Sequence, residues 1–381
     1  MIRANFAIFL VMAVLAVVSA SFHEKCHEHF ESFKTKHRVR YADDQEHGRR
    51  REIFCDRMKE VDELNAKGNP VFGVTKFSDR TFEEFSVLLG RKGRASVPEG
   101  ATVKKSVREP GSRHAALKGA LGDDSTVDWT AAGYVTPVKN QGQCGSCWSM
   151  SAASQIESDF MLAGNAMWEF SPQQIASCTK NCFGCGGGDT PAAYEYLMGL
   201  PSGEGLGSAA FAPYVQSMTE QCLGKRCTES CDKIDLTTLE TKSSLTGYYA
   251  TVTDYNYATE PCTGACDSQN MTALAASLAS SGPASVCVNA ANWASYTGGV
   301  MTSAQCGGFA YGDLDHCVQL TGYNSDEGYW AVRNSWSTDW GIDGYIRLEM
   351  ADGVNPCGIA NEATMTVLGD AKGDDKHGGG K

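Results

Sequence analysis

The chain has 381 residues, 42% of them hydrophobic, with 16 cysteines and a net charge of −12. That size supports a sizeable core and more than one folded unit, and excludes a small scaffold held by disulfides alone. A net acidic body lacks the clustered cations that phosphate contacts demand, so nucleic acid is not an expected partner.

In chain order, residues 1–20 read as a signal peptide: Arg3 makes the start basic, residues 6–18 are apolar, and Val18, Ser19 and Ala20 close it with small side chains. The apolar run is short for a bilayer span and no later stretch of about 20 apolar residues follows, so no membrane anchor is expected. Export agrees with the cysteine count, because oxidising compartments permit several disulfides. The sequon Asn270-Met271-Thr272, a weak pattern alone, marks Asn270 as a glycosylation candidate. Residues 23–65 are rich in charge, and Ile53, Phe54, Met58, Val61 and Leu64 recur at helical spacing, predicting an amphipathic helix that Gly68-Asn69-Pro70 stops. Alternation over 72–77 predicts a short strand, and 81–89 a small helix. Residues 90–124 turn to Gly, Ser, Pro, Lys and Arg and read as a linker. The main region opens at Val127-Asp128-Trp129 and runs to about Leu368; residues 369–381 are too polar to bury anything and read as a disordered tail. Within it, 146–163 predicts a buried helix starting near Cys147, and 284–289, 317–323, 329–334 and 344–349 read as strands. A helix-rich half followed by a strand-rich half predicts two subdomains with a cleft between them. The first third of the chain is net basic and the remainder strongly acidic, so the two should attract.

Chemistry concentrates in Gln141-Gly142-Gln143-Cys144-Gly145-Ser146-Cys147-Trp148, followed by Asp315-His316 and Asn334-Ser335-Trp336. Cysteine attacks as a thiolate, and a helix N-terminus and a nearby imidazolium both lower its pKa. Cys147 is therefore the candidate nucleophile and His316 its base. Asn334 can hold one ring nitrogen of that base, and the Gln141 amide, with the Cys147 N–H, can receive a developing oxyanion. The competing readings of Cys147 are a disulfide to Cys144 or a C-x-x-C redox or zinc site, neither of which needs Gln141 or Trp148. His316 alone would be an ordinary histidine; its register with Cys147 and Asn334 makes it a catalytic candidate.

These motifs resemble the papain family of cysteine proteases. Thr136-Pro137-Val138-Lys139-Asn140, Cys185-Gly186-Gly187-Gly188 and Trp340-Gly341 extend the likeness over most of residues 127–365. His316 and Asn334 follow the thiol at more than the about 130–150 residues usual there, implying an insertion between Lys225 and Cys266. Met150 replaces an aromatic residue of the family. The leader resembles the inhibitory propeptide of the cathepsin L-like branch through Glu46, Arg50, Phe54 and Asn65 and then Gly73, Thr75, Phe77 and Asp79, with Arg57 and Val61 departing from its pattern.

The resemblance implies an α+β papain-like fold of two subdomains, a helical left half and an antiparallel β-barrel-like right half, with a small mostly helical propeptide domain. It implies a signal peptide at 1–20, an inhibitory domain at 21–89, a tail at 90–124 passing backward through the cleft, and a peptidase domain at 125–368. The activity implied is a cysteine endopeptidase made as a zymogen, activated by acid, and delivered to a lysosome, vacuole or the exterior. Its partners would be peptide or protein substrates and its own propeptide; the mature enzyme would be monomeric, with no cofactor and no metal. Substrate-binding positions by the same resemblance are Gly145, Gly187, Gly188, Asp189, Thr190, Cys287, Leu314, Asp315, Cys317, Trp336 and, at the floor of the second specificity pocket, Glu362. An acid there should admit Arg as well as large apolar side chains. Implied disulfides are Cys144–Cys185, Cys178–Cys222 and Cys306–Cys357. Cys287 and Cys317 lie in apolar strand text and are expected as buried thiols. Cys182, Cys227, Cys231, Cys262 and Cys266 keep open pairings, with zinc binding by the last four a lesser alternative to disulfides.

Overall fold

The computed structural model of the protein describes residues 26–93, 125–201, 204–215, 231 and 249–369. The expected leader, linker residues 94–124, Cys222, Cys227, most of the expected insertion and the tail beyond Gly369 lie outside the described residues.

Helix α1 covers 26–37 and α2 Asp44–Ala66. Asp43 starts α2 by accepting the Glu46 N–H at 2.8 Å, and the helix ends at Lys67, just before the Gly-Asn-Pro stop. Phe30, Phe33 and Phe54 bury against one another, and a Cys26–Cys55 bond ties the two helices. Helix α3, Phe82–Ser86, starts on a capping box between Thr81 and Glu84. The strand expected over 72–77 does not form. Phe72 makes one antiparallel bridge to Tyr296, and the next residues spend their polar groups on the neighbouring surface, the Gly73 N–H on the Ser295 carbonyl at 2.8 Å and the Thr75 hydroxyl on the Ala294 carbonyl at 2.6 Å.

The remainder divides into two apolar clusters. Helices α4 (Cys147–Leu162), α5 (Pro172–Cys178) and α6 (Thr190–Met198) enclose the first, around Trp148, Ile156, Phe160, Phe170, Ile175 and Tyr194. Strands β1 (Thr126–Asp128), β2 (Val252–Tyr257), β3 (Ala284–Val288), β4 (Val300–Met301), β5 (His316–Asn324), β6 (Tyr329–Arg333), β7 (Tyr345–Glu349) and β8 (Ala363–Leu368) form one sheet in the order β2-β8-β3-β5-β6-β7-β4, with β1 on β5. All pairs are antiparallel except the two-residue β4–β7 contact. Helix α7 (Met271–Ser281) helps bury the second cluster, with Val286, Val288, Val318, Leu320 and five tryptophans.

Helix α4 is buried from Cys147 to Met161, so its polar residues must find partners inside. Glu157 accepts from the Thr136 hydroxyl at 2.5 Å, Lys139 at 2.9 Å and the Phe170 N–H at 2.9 Å; Asp159 accepts from the Thr366 N–H and hydroxyl. These bonds fix the helix between the two halves and aim its first residue, Cys147, at the start of β5.

Cys144 is bonded to Cys185 and Cys306 to Cys357. In place of the expected Cys178–Cys222 bond, Cys178, the last residue of α5, joins Cys231, whose Cα lies 4.8 Å away. Cys262 joins Cys266. With Cys231, Cys262 and Cys266 all in disulfides, zinc binding by that group is overturned. Cys287 and Cys317, expected as thiols, are instead joined to each other: the β3–β5 register sets them directly opposite.

Candidate active site

His316 opens β5, and Asn334 follows the end of β6, so two neighbouring strands deliver them side by side. The His316 Nε2–H donates to Asn334 Oδ1 at 2.8 Å, and the Ser335 N–H donates to the same oxygen at 2.7 Å. The Trp336 ring stacks on the imidazole with centroids 4.8 Å apart and planes at 29°. Nδ1 has no hydrogen-bond partner among the described residues. Gln141 is fully buried; its Oε1 accepts from the Ser335 hydroxyl at 2.7 Å, which aims Nε2 at the cleft.

Cys147 is a thiol, not the disulfide partner of Cys144, and it sits in the first turn of α4. Backbone N–H groups of Cys317, Gly90 and Trp148 point toward its sulfur. Burial nevertheless pushes the thiol up to about 11 and His316 down to about 4, the latter against its bond to Asn334. The sequence predicts a lowered thiol in the working enzyme; in this precursor residues 88–92 lie over the site, and burial acts in the other direction.

The Leu88 carbonyl accepts from Gln141 Nε2 at 2.8 Å. Gly90 passes so close that a Cβ on it would lie 1.8 Å from the Gly145 carbonyl oxygen. The Gly188 N–H donates to the Gly90 carbonyl at 2.9 Å, and Lys92 N–H donates to the Gly188 carbonyl at 2.8 Å, a parallel bridge centred on Arg91. Arg91 N–H donates to the Asp315 carbonyl at 2.9 Å. Its guanidinium enters a closed pocket: Nη2 donates to Glu362 at 2.8 Å, Nη1 to the Tyr311 and Leu314 carbonyls at 3.3 and 3.2 Å, and Cζ lies 4.3 Å from the Tyr311 ring centroid. Both side chains of the ion pair are nearly inaccessible, at 3% and 5%. Burial works against the Arg91 charge, and Glu362, Tyr311 and Asp189 together overcome it.

Residues Gly145, Gly187, Gly188, Leu314, Asp315 and Glu362 thus converge on 88–92. Cys287 and Cys317 back the same pocket, Trp336 shields His316, and Asp189 stands at the N-cap position of α6 without a side-chain capping bond, followed by Thr190, whose hydroxyl has no hydrogen-bond partner among the described residues. Asn270 is the exposed N-cap of α7. Sequence reading misses Arg91, Tyr311 and Ser335. A basic residue directly after the last helical stretch, set against an expected pocket acid, was the available signal for the first.

Comparison with known proteins matches residues 124–367 to the papain family cysteine protease profile and residues 30–85 to the cathepsin propeptide inhibitor domain. The chain is 33% identical to a cysteine proteinase of Trypanosoma brucei brucei, over 94% of this chain and 71% of that protein. It is 32% identical to the cathepsin L-like proteinase of Phaedon cochleariae, over 95% and 99%. Its structure resembles digestive procathepsin L2 from the Tenebrio molitor larval midgut, with a TM-score of 0.66 at 28% identity, covering 90% of this chain and 100% of that one. The chain belongs to the papain family of cysteine proteases. It is a cathepsin L-like zymogen whose propeptide is its intramolecular inhibitor.

Proposed function

We propose that this zymogen matures to an endopeptidase that selects Arg, or a large apolar side chain, two residues before the cut. The observation that carries this reading is the seating of residues 88–92, with the Leu88 carbonyl on Gln141 and Arg91 on Glu362. In the uncovered enzyme, Cys147 gives its proton to His316 Nδ1 and attacks the substrate carbonyl carbon. The resulting oxyanion takes the Gln141 amide that Leu88 occupies in the precursor, together with the Cys147 N–H. His316 then protonates the departing amine, leaving a thioester that water hydrolyses with the same imidazole as base. Asn334 keeps Nε2 protonated, so Nδ1 faces sulfur. The parallel sense of the Arg91–Gly188 bridge supports a tail that runs against the direction of a substrate and so escapes cleavage.

Acid activation follows from groups of opposing sign. Salt-bridged Glu46 is held down to about 2 by Arg49 and Arg50; Glu84 and Asp339 are also lowered, Arg50 and Lys76 overcoming burial. They stabilise the covered state at neutral pH and lose that contribution as pH falls below their ordinary values of 4.5 and 3.8. His316, buried neutral, must charge, which opposes cover between 6.5 and about 4. Asp315, raised by burial to about 7, acts the other way until pH falls below 3.8. Release therefore sets in below about pH 5, in an acidic vesicle of the secretory pathway.

The test is titration of acid-treated protein with an epoxide inhibitor, expected to label Cys147 at one equivalent. Dipeptide reporters with Arg or Phe then read the pocket. A Glu362→Ala enzyme with an unchanged Arg to Phe ratio would overturn the pocket assignment.

A further inference from the structure

Cys287 and Cys317 are fully buried, and their strands alternate, so they face the helical half while Val286, Val288, Val318 and Leu320 face the core of the strand-rich half. Their disulfide therefore walls the pocket that Arg91 fills. Cys287 Sγ lies 3.3 Å from Glu362 Oε1, and Cys317 follows His316 directly. A disulfide sulfur carries no hydrogen, so this contact gives the carboxylate no donor. A guanidinium supplies what the wall withholds, as Arg91 does on Oε2 at 2.8 Å. When an apolar side chain enters, the Tyr311 hydroxyl, which also bonds the carboxylate, is the donor left on that wall.

We propose that the Cys287–Cys317 disulfide sets the pocket's preference for arginine, and that its reduction shifts the enzyme toward apolar side chains. The inference rests on the reading of Glu362 as the floor of a substrate pocket. Removing residues 88–92 opens the pocket to a low-molecular-weight thiol. Two such thiols deliver two electrons and two protons: the S–S bond breaks, Cys287 and Cys317 become thiols, and the reductant leaves as its own disulfide. Cys287 then presents an S–H within reach of Oε1. The carboxylate is satisfied without a guanidinium, and Phe or Leu enters more easily. A buried acceptor short of a donor loses binding by about tenfold, which sets the scale expected.

The experiment uses matured enzyme with active sites counted by epoxide, and reads kcat/KM for Arg over Phe reporters. Wild type is compared before and after treatment with dithiothreitol and its removal under argon, with the bond's state read by differential alkylation and peptide mass. Cys287→Ser with Cys317→Ala supplies a permanent donor; Cys287→Val with Cys317→Ala supplies none. The Arg preference is expected to fall about tenfold on reduction and in the serine variant, and to stay high in the valine variant. An unchanged ratio in demonstrably reduced wild type overturns the proposal, as do serine and valine variants with equal ratios. A bond that resists reduction overturns the redox shift. Should either double variant fail to fold, the wild-type comparison decides. Glu362→Ala separates the two readings: if its ratio collapses while the sulfur arms do nothing, only the disulfide's role fails; if its ratio matches wild type, the pocket itself is wrong.

Discussion

Gly90 has no room for a side chain, and that single absence lets the propeptide lie on the thiol. Gly90→Ala should lift the segment away from Gly145. The precursor should then react with an epoxide at neutral pH at least about tenfold faster than wild type, measured as the rate of Cys147 labelling. Gln141 holds a propeptide carbonyl in the precursor, and in the proposed mechanism its amide receives the oxyanion once that carbonyl leaves. Gln141→Ala should lower kcat by about 10²–10³-fold while KM moves little, as pre-steady-state and steady-state kinetics on dipeptide reporters would show. At this scale the sequence was most readable where chemistry restricts the choice of residue: Cys147, His316, Asn334 and Gln141 stand in recognisable motifs, and the structure gathers them around one cleft. Arg91 was not readable, because Gly, Ser, Pro and basic residues give its neighbourhood the composition of a linker. Nothing local distinguishes a guanidinium destined for solvent from one destined for a buried carboxylate 271 residues away. Cys317 shows the converse difficulty: an apolar strand context suits a thiol and a disulfide equally, and only the pairing register decides.

Helix α2 carries the propeptide's polar cross-links on one side and its aromatic core on the other. Arg50 donates to Glu84 at 2.5 and 2.9 Å, to Glu46 at 2.7 Å and to the Asp79 carbonyl at 2.9 Å, tying α2 to α3. Arg50→Ala should loosen α3 and the run into Leu88, so that latency is lost at a higher pH and a lower temperature than in wild type; activity released along a pH series and a thermal ramp would reveal it. On the opposite side, Cys26–Cys55 closes 29 residues, a loop for which the chain-entropy argument gives about 3–4 kcal/mol. Replacing both cysteines by alanine should lower the unfolding temperature of the precursor's first transition in calorimetry and leave the matured enzyme's transition where it was. Helices and strands were legible because their apolar periods survive intact: α4, β3, β5, β6 and β7 lie within a residue or so of the expected spans. The 72–77 stretch misled because its alternation serves docking, with Gly73, Thr75 and Phe77 contacting Ser295, Ala294 and Trp336, not a ladder of its own.

Across the whole molecule, a net basic first third and an acidic remainder meet at few discrete pairs. Among the described residues, Lys76–Asp339 at 2.5 Å and Arg91–Glu362 at 2.8 Å are the ion pairs that cross the contact, and the second is far better sheltered. Shelter from salt follows, since a buried pair is screened much less than an exposed one. The pH response is likewise a sum over the contact. Because protonation of Asp315 favours cover as pH drops from about 7 to 3.8, Asp315→Asn, which keeps the uncharged form at every pH, should stabilise the covered state and move the activation midpoint to lower pH. A midpoint that stays in place or rises, read from progress curves of precursor held at stepped pH, would show that burying this carboxylate does not disfavour cover.

The Arg91–Glu362 pair also places a constraint on descent. One carboxylate receives both the molecule's own restraint and the residue by which it is proposed to choose its prey, so neither trait can drift alone. A lineage that exchanges the acid at 362 for an apolar residue would strand a guanidinium in a dry cavity and set its precursor loose. Such relatives should be found to have replaced the arginine at 91 as well, and most often by a bulky hydrocarbon.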